Sequence, residues 1–153
     1  FTPGISHRPL KTDWGKVGIM ICLEAVYPQI GQILTEQGAE ILVVMSNDAG
    51  FGYSPITHHM TRRAAVRALE NGRWLVRVGQ AGLSVIMSPR GQVISSLSLF
   101  TPSLLVGTVH RLKEPTFYVQ CPWLYPVGNV LLLLVLPFLA RRRWNHRSPS
   151  PNA

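Results

Sequence analysis

A chain of 153 residues can enclose one domain with a real core. Its 46% hydrophobic and 14% charged residues make it more apolar than an ordinary soluble domain. Half of the net charge of +8 comes from Arg141, Arg142, Arg143 and Arg147, which follow an uncharged stretch, so the basicity belongs to a tail rather than to a folded face and argues against a nucleic-acid partner.

The N-terminal FTPGISHRPL has no apolar run of the kind a signal peptide needs, and the chain starts at Phe1 rather than Met. The expectation is a portion of a longer protein. Lys16 opens an apolar run, KVGIMIC, that reads as a buried strand over 16–22, with Gly15 as the turn before it. Pro28 suits the first turn of a helix running to about Gln37, and Gly38 suits the position after its end. EILVVMS, residues 40–46, is a second buried strand, followed by the polar, glycine-containing loop NDAGFGY.

Ser54 and Pro55 open the next helix, as N-cap and first helical residue. Ile56, Met60, Ala64 and Ala68 fall four apart and define its apolar face, while Arg62, Arg63, Arg67 and Glu70 lie mostly off it. Gly72 fits its C-terminal cap. WLVRV at 74–78 is a strand, and strands over 84–87 and 93–96 flank the turn Ser88-Pro89-Arg90-Gly91 as a hairpin. A last strand is expected over 104–110, with Gly107 marking a bulge or a close approach. Continuous apolar strands need cover on both faces, so the expected class is an α/β layered sandwich.

Residues 122–140, PWLYPVGNVLLLLVLPFLA, carry no charge. Nineteen residues approach the roughly 20 that a transmembrane helix needs, and Trp123 and Tyr125 sit where an interfacial aromatic belt would lie. The expectation is a transmembrane helix at 122–140 and a basic cytoplasmic tail at 141–153. The arginines place the C-terminus inside and the preceding domain, 1–121, on the outer face. A buried core helix or an interfacial anchor is the competing reading of the same stretch.

Cys22 stands where the first buried strand runs out, and a thiolate there would be a nucleophile if a base, a cation or a helix N-terminus favoured it. Taken alone, a cysteine in that position is more often a packing residue. Glu24, two residues on, must be solvated, paired or functional; it can orient a neighbour or serve as an anion at a helix entry. Asn47 and Asp48 suit an Asx-turn. His58 and His59 are adjacent and point about 100° apart on a helix, and no HExxH or CxxC spacing exists, so no metal site and no cofactor are expected. Two cysteines, Cys22 and Cys121, are too few for a disulfide framework.

VGIMICLEAVYP followed by GAEILVVMSNDAGFG resembles the carbon–nitrogen hydrolase (nitrilase) superfamily around its catalytic cysteine. The continuation HHMTRRAAVRALENGRWLVRVGQAGLSVIMSPRGQV, then TFYVQCPW and the apolar C-terminal segment, resembles the apolipoprotein N-acyltransferase branch in particular. That resemblance covers nearly the whole chain. It implies part of an α-β-β-α sandwich, periplasmic at the bacterial inner membrane and followed by one transmembrane helix. It also implies an acyltransferase that moves a fatty acyl chain from a phospholipid onto Cys22 as a thioester. The acceptor would be the N-terminal amine of a diacylglyceryl-cysteine apolipoprotein. Catalytic roles are implied for Cys22 and Glu24.

Leu23 stands where the family has an aromatic residue, and Gly50 where it has Trp. The family's glutamate base and lysine lie well upstream of the cysteine, whereas only twenty-one residues precede Cys22. Lys11 and Lys16, the lysines in that stretch, do not lie in the family's lysine motif. The chain alone is therefore expected to be inactive. A membrane-anchored amidase of the same superfamily and a degenerate, non-catalytic binding module are the competing readings.

Overall fold

A computed structural model describes residue 4 and residues 6–145. The chain divides into two units, Phe1–Gln120 and Cys121–Ala153. The first is built on one six-stranded sheet: β1 (Leu10–Thr12), β2 (Gly15–Ile21), β3 (Ile41–Asn47), β4 (Leu75–Gln80), β5 (Val85–Met87) and β6 (Val93–Ser96), in that spatial order. β2, β3 and β4 run parallel, and β1, β5 and β6 add antiparallel edges. Helices α1 (Pro28–Glu36) and α2 (Ile56–Asn71) link the parallel strands, as a parallel pair requires a crossover.

Local chemistry explains the boundaries. Pro28 occupies the first turn of α1, where its missing N–H leaves nothing unpaired. α2 stops at Gly72, whose left-handed backbone (φ 60°, ψ 38°) lets its N–H reach back to the carbonyls of Ala68 and Leu69. Met20, Leu42, Val44, Leu75, Val85 and Met87 from the sheet pack with Leu34, Ala64 and Ala68 from the two helices as one core.

Strand alternation sends the other side chains to the opposite face, and that face is open toward the carboxyl ends of the central strands. Ile21, Met45 and Val78 are 64%, 52% and 49% exposed. Cover on both faces was expected from the continuous apolar strands; on the second face the described residues supply it in part, burying Val17, Ile41 and Ile86.

The buried face of α2 also differs from the sequence reading. It comprises Thr57, Thr61, Ala64, Arg67, Ala68 and Asn71, while Ile56 is exposed. Their polarity is met in part by local bonds: Thr61 donates to the Thr57 carbonyl (2.9 Å), Asn71 to that of Arg67 (2.8 Å), and Arg67 to Glu70 (3.0 Å). Burial pushes the Glu70 carboxyl above its usual range, with Arg67 partly opposing the shift.

One strand was not foreseen and one assignment needs correction. β1 has no apolar alternation in the sequence and forms by hairpin pairing with β2 through the turn at Thr12–Gly15. Residues 104–110, expected as a strand, join no sheet. Leu104 and Val106 are largely exposed, although Gly107 does make the expected close approach: a Cβ there would lie 2.6 Å from Ile86 Cδ1.

The chain then crosses the amino ends of the strands, where buried Arg73 holds it. That guanidinium donates to the carbonyls of Ala39 (2.8 Å), Lys113 (2.9 Å) and Glu114 (2.7 Å). Burial draws its pKa below the usual arginine range, and Glu40 and Glu114 partly restore it. The short helix α3 (Phe117–Gln120) completes this unit.

The second unit contains α4 (Leu124–Asn145), with Pro137 inside it. Among the described residues no helix is long and apolar enough to cross a membrane. The helix does cover most of the stretch expected as a span. However, Pro126, Gly128 and Asn129 precede the continuous apolar run, which occupies 130–140. At 1.5 Å per residue that run covers about 16 Å of a hydrocarbon core about 30 Å thick. The expected tail residues 146–153 lie outside the described residues.

Candidate active site

β2 ends at Ile21, and the chain turns at once into a 3-10 turn, Cys22–Val26. Cys22 itself makes the bend with a left-handed backbone, φ +51°, which is uncommon for a residue with a side chain. Such conformations persist only where the surroundings enforce them, and they gather at functional sites. The side chain is half-buried and its thiol is free.

Glu24 supplies part of the enforcement. Its Oε2 accepts the Ile21 N–H at 2.7 Å, so the carboxylate ties the end of the strand to the turn that follows. This matches the helix-entry role weighed for it from sequence. Tyr27 N–H bonds back to the Glu24 carbonyl (3.1 Å) and closes the turn.

The sheet register supplies the rest. Ile21 pairs with Met45, so the next residue on each strand, Cys22 and Ser46, come side by side. Ser46 Oγ lies 3.6 Å from Cys22 Sγ and 2.6 Å from Asp48 Oδ1. The other Asp48 oxygen accepts Arg77 Nη2 at 2.5 Å, and Arg77 Nη1 donates to the Leu83 carbonyl at 2.5 Å. The ion pair is sealed, with side-chain exposures of 1% for Arg77 and 0% for Asp48. Gly82 makes the space: a Cβ there would fall 1.9 Å from Asp48 Oδ2.

Of the two residues assigned to an Asx-turn, Asn47 makes one, its Oδ1 accepting the Ala49 N–H at 3.1 Å. Asp48 does not; it belongs to the ion pair. Asp48, Ser46 and Arg77 were not singled out together from sequence, although one signal was there. Arg77 interrupts an apolar strand, and a cation in a buried strand needs an anion near it.

Beside Ser46, a groove of about 370 Å³ is lined by Met45, Ser46, Asn47, Val78, Gly79 and Gln80. A cleft of about 440 Å³ shares Val78, Gly79 and Gln80 with it and extends to Phe100 and Ser103. Both open at the carboxyl ends of β3 and β4, where ligands bind in open α/β sheets. His58 and His59 are exposed on α2, and among the described residues no group of three His, Cys, Asp or Glu could hold a metal. Gly50, which stands at the family's Trp position, has open space around it.

The chain is similar to known proteins. Residues 1–113 match the carbon-nitrogen hydrolase family. The chain is 33% identical over 99% of its length to a protein of Azotobacter vinelandii, and 31% identical over 94% to one of Geobacter metallireducens; both are named apolipoprotein N-acyltransferase. It covers 29% and 27% of those proteins, so it spans little more than a quarter of their length. The crystal structure of a carbon-nitrogen hydrolase from Helicobacter pylori G27 superposes with a TM-score of 0.57 at 24% identity, over 64% of this chain and 42% of that one.

Proposed function

The chain belongs to the carbon–nitrogen hydrolase family, and from that premise we propose that it is the cysteine-bearing portion of an apolipoprotein N-acyltransferase. One observation carries the reading: relatives of that name align with almost the entire chain, Cys22 turn, Asp48 loop and C-terminal segment included. Cys22 is the acyl carrier. Its thiolate attacks the ester carbonyl of a phospholipid, the carbon–oxygen bond breaks, and the lysophospholipid leaves with the proton. The free amine of a diacylglyceryl-cysteine apolipoprotein then attacks the thioester and returns the sulfur as a thiol. Two acyl transfers through one site call for such a covalent intermediate.

Glu24 acts on this chemistry through geometry, by holding the turn that carries Cys22. The proton acceptor and the cation that steadies the developing oxyanion come from the glutamate and lysine that the family places upstream. In the same reading, the open sheet face bearing Ile21, Met45 and Val78 is the inner face of an α-β-β-α sandwich. The uncharged 122–140 and the arginines after it hold the protein at the bacterial inner membrane. Contact with both lipid substrates requires that placement.

The test is a product assay on the full-length protein of this gene, given phospholipid and a diacylglyceryl peptide. Triacylated peptide, abolished by Cys22→Ser, is the expected outcome. Release of free fatty acid without triacylated peptide would instead identify a hydrolase.

A further inference from the structure

We propose that Ser46, locked by the buried Asp48–Arg77 pair, is a positioning residue for Cys22 that holds its sulfur in place as the protonated thiol. The proposal rests on Cys22 being the acyl carrier only in its consequence; the geometry stands by itself.

Ser46 has one hydroxyl proton and two acceptors within reach, Asp48 Oδ1 at 2.6 Å and Cys22 Sγ at 3.6 Å. An ionised carboxylate is the stronger acceptor and sits at the distance of a charge-assisted bond, whereas sulfur accepts weakly. The proton therefore goes to Asp48, and the oxygen turns its lone pairs toward the sulfur. Cys22 then serves as donor, its S–H directed at Ser46 Oγ. A thiolate in that position would face oxygen lone pairs instead of a hydrogen.

The carboxylate cannot swing away to change this. Arg77 holds its second oxygen at 2.5 Å and is itself anchored on the Leu83 carbonyl. Asp48 N–H bonds the Gln80 carbonyl at 3.0 Å, and Gly82 closes the remaining side. Three strands thus fix one hydroxyl: β3 carries Ser46, β4 carries Arg77, and β2 delivers Cys22 beside them. The consequence for acyl transfer is a nucleophile that stays aligned and protonated until a base removes its hydrogen. This restrains reaction with stray electrophiles.

The readout is the rate of Cys22 alkylation by iodoacetamide at fixed pH in the full-length protein, followed by mass spectrometry of the peptide containing Cys22 so that no other thiol contributes, with circular dichroism confirming the fold. Ser46→Ala is expected to react at least threefold faster than the parent. Ser46→Thr, which keeps the hydroxyl, stays below that threshold. Ser46→Val, which has threonine's shape without the hydroxyl, exceeds it and carries the comparison should alanine perturb folding. Hydroxyl-free variants that react less than threefold faster, or more slowly, overturn the proposal, as does a threonine variant that follows valine. Because alkylation requires no acyl transfer, these rates stand apart from the product assay: faster alkylation without triacylated peptide would refute the proposed activity and leave the role of Ser46 intact.

Discussion

Replacing Asp48 by alanine removes the anion from a pair that no water reaches and leaves the Arg77 charge buried. Arg77 keeps its bond to the Leu83 carbonyl, but Nη2 loses its bond to Asp48, and the side chain is 1% exposed. Breaking a buried pair from one side destabilises by about 3–5 kcal/mol. Set against a native stability of about 5–15 kcal/mol for a domain, that is a large fraction. Urea denaturation followed by circular dichroism reads it: with a slope near 2 kcal/mol per molar, the midpoint falls by about 1.5–2.5 M. The Asp48→Leu, Arg77→Met double variant removes both charges and fills the space with apolar groups. It should recover most of the loss, since such replacements are often neutral or stabilising. A loss below about 1 kcal/mol for Asp48→Ala, or a double variant weaker than the single one, would show that the pair is not sealed as described.

Gly82→Ala drives a Cβ into Asp48 Oδ2 and should destabilise by about 1–3 kcal/mol, as overpacking does; the penalty should largely vanish in an Asp48→Gly background, which also removes the Asp48 Cβ 2.9 Å away, and its persistence there would place the clash elsewhere. Arg73→Lys cannot span the Ala39, Lys113 and Glu114 carbonyls that the guanidinium fork reaches. Trypsin should then cleave more rapidly at Arg111 and Lys113, and an unchanged cleavage rate would contradict the clamp. Glu70 carries a raised pKa, so its charged form is less favoured folded than unfolded. The resulting penalty is present above the raised folded pKa and relieved as pH falls through it toward 4.5. Glu70→Gln has no such titration. Thermal melts should show the parent gaining on this variant between neutral pH and about 4.5, and a constant difference would refute the assignment.

Much of the scaffold was legible because it depends on local signals. The apolar runs of β2 and β3, Pro28 opening α1 and Gly72 closing α2 are each decided within a few residues. Residues 104–110 misled for the opposite reason: their β-branched, apolar character suits a strand, but pairing requires a free edge in register, a tertiary condition. β1 was invisible because its three residues owe their conformation to β2. The Cys22 position was legible through the strand end and the family resemblance. Its left-handed backbone was not, nor was the closure of Ser46, Asp48 and Arg77 around it. Those contacts join three strands, and their cause is the register that sets Ile21 against Met45 and Ser46 against Gly79. Arg67 was placed on the wrong side of α2 because its burial rests on a bond to Glu70 rather than on an apolar pattern.

The central claim is that Cys22 carries the acyl chain. Its most direct test is peptide mass spectrometry of the full-length protein after incubation with phospholipid and no acceptor. The account predicts a fatty acyl adduct on the peptide containing Cys22, labile to hydroxylamine as a thioester is, and discharged when a diacylglyceryl peptide is added. Formation of triacylated peptide with Cys22 unmodified, and undiminished in Cys22→Ser, would contradict it.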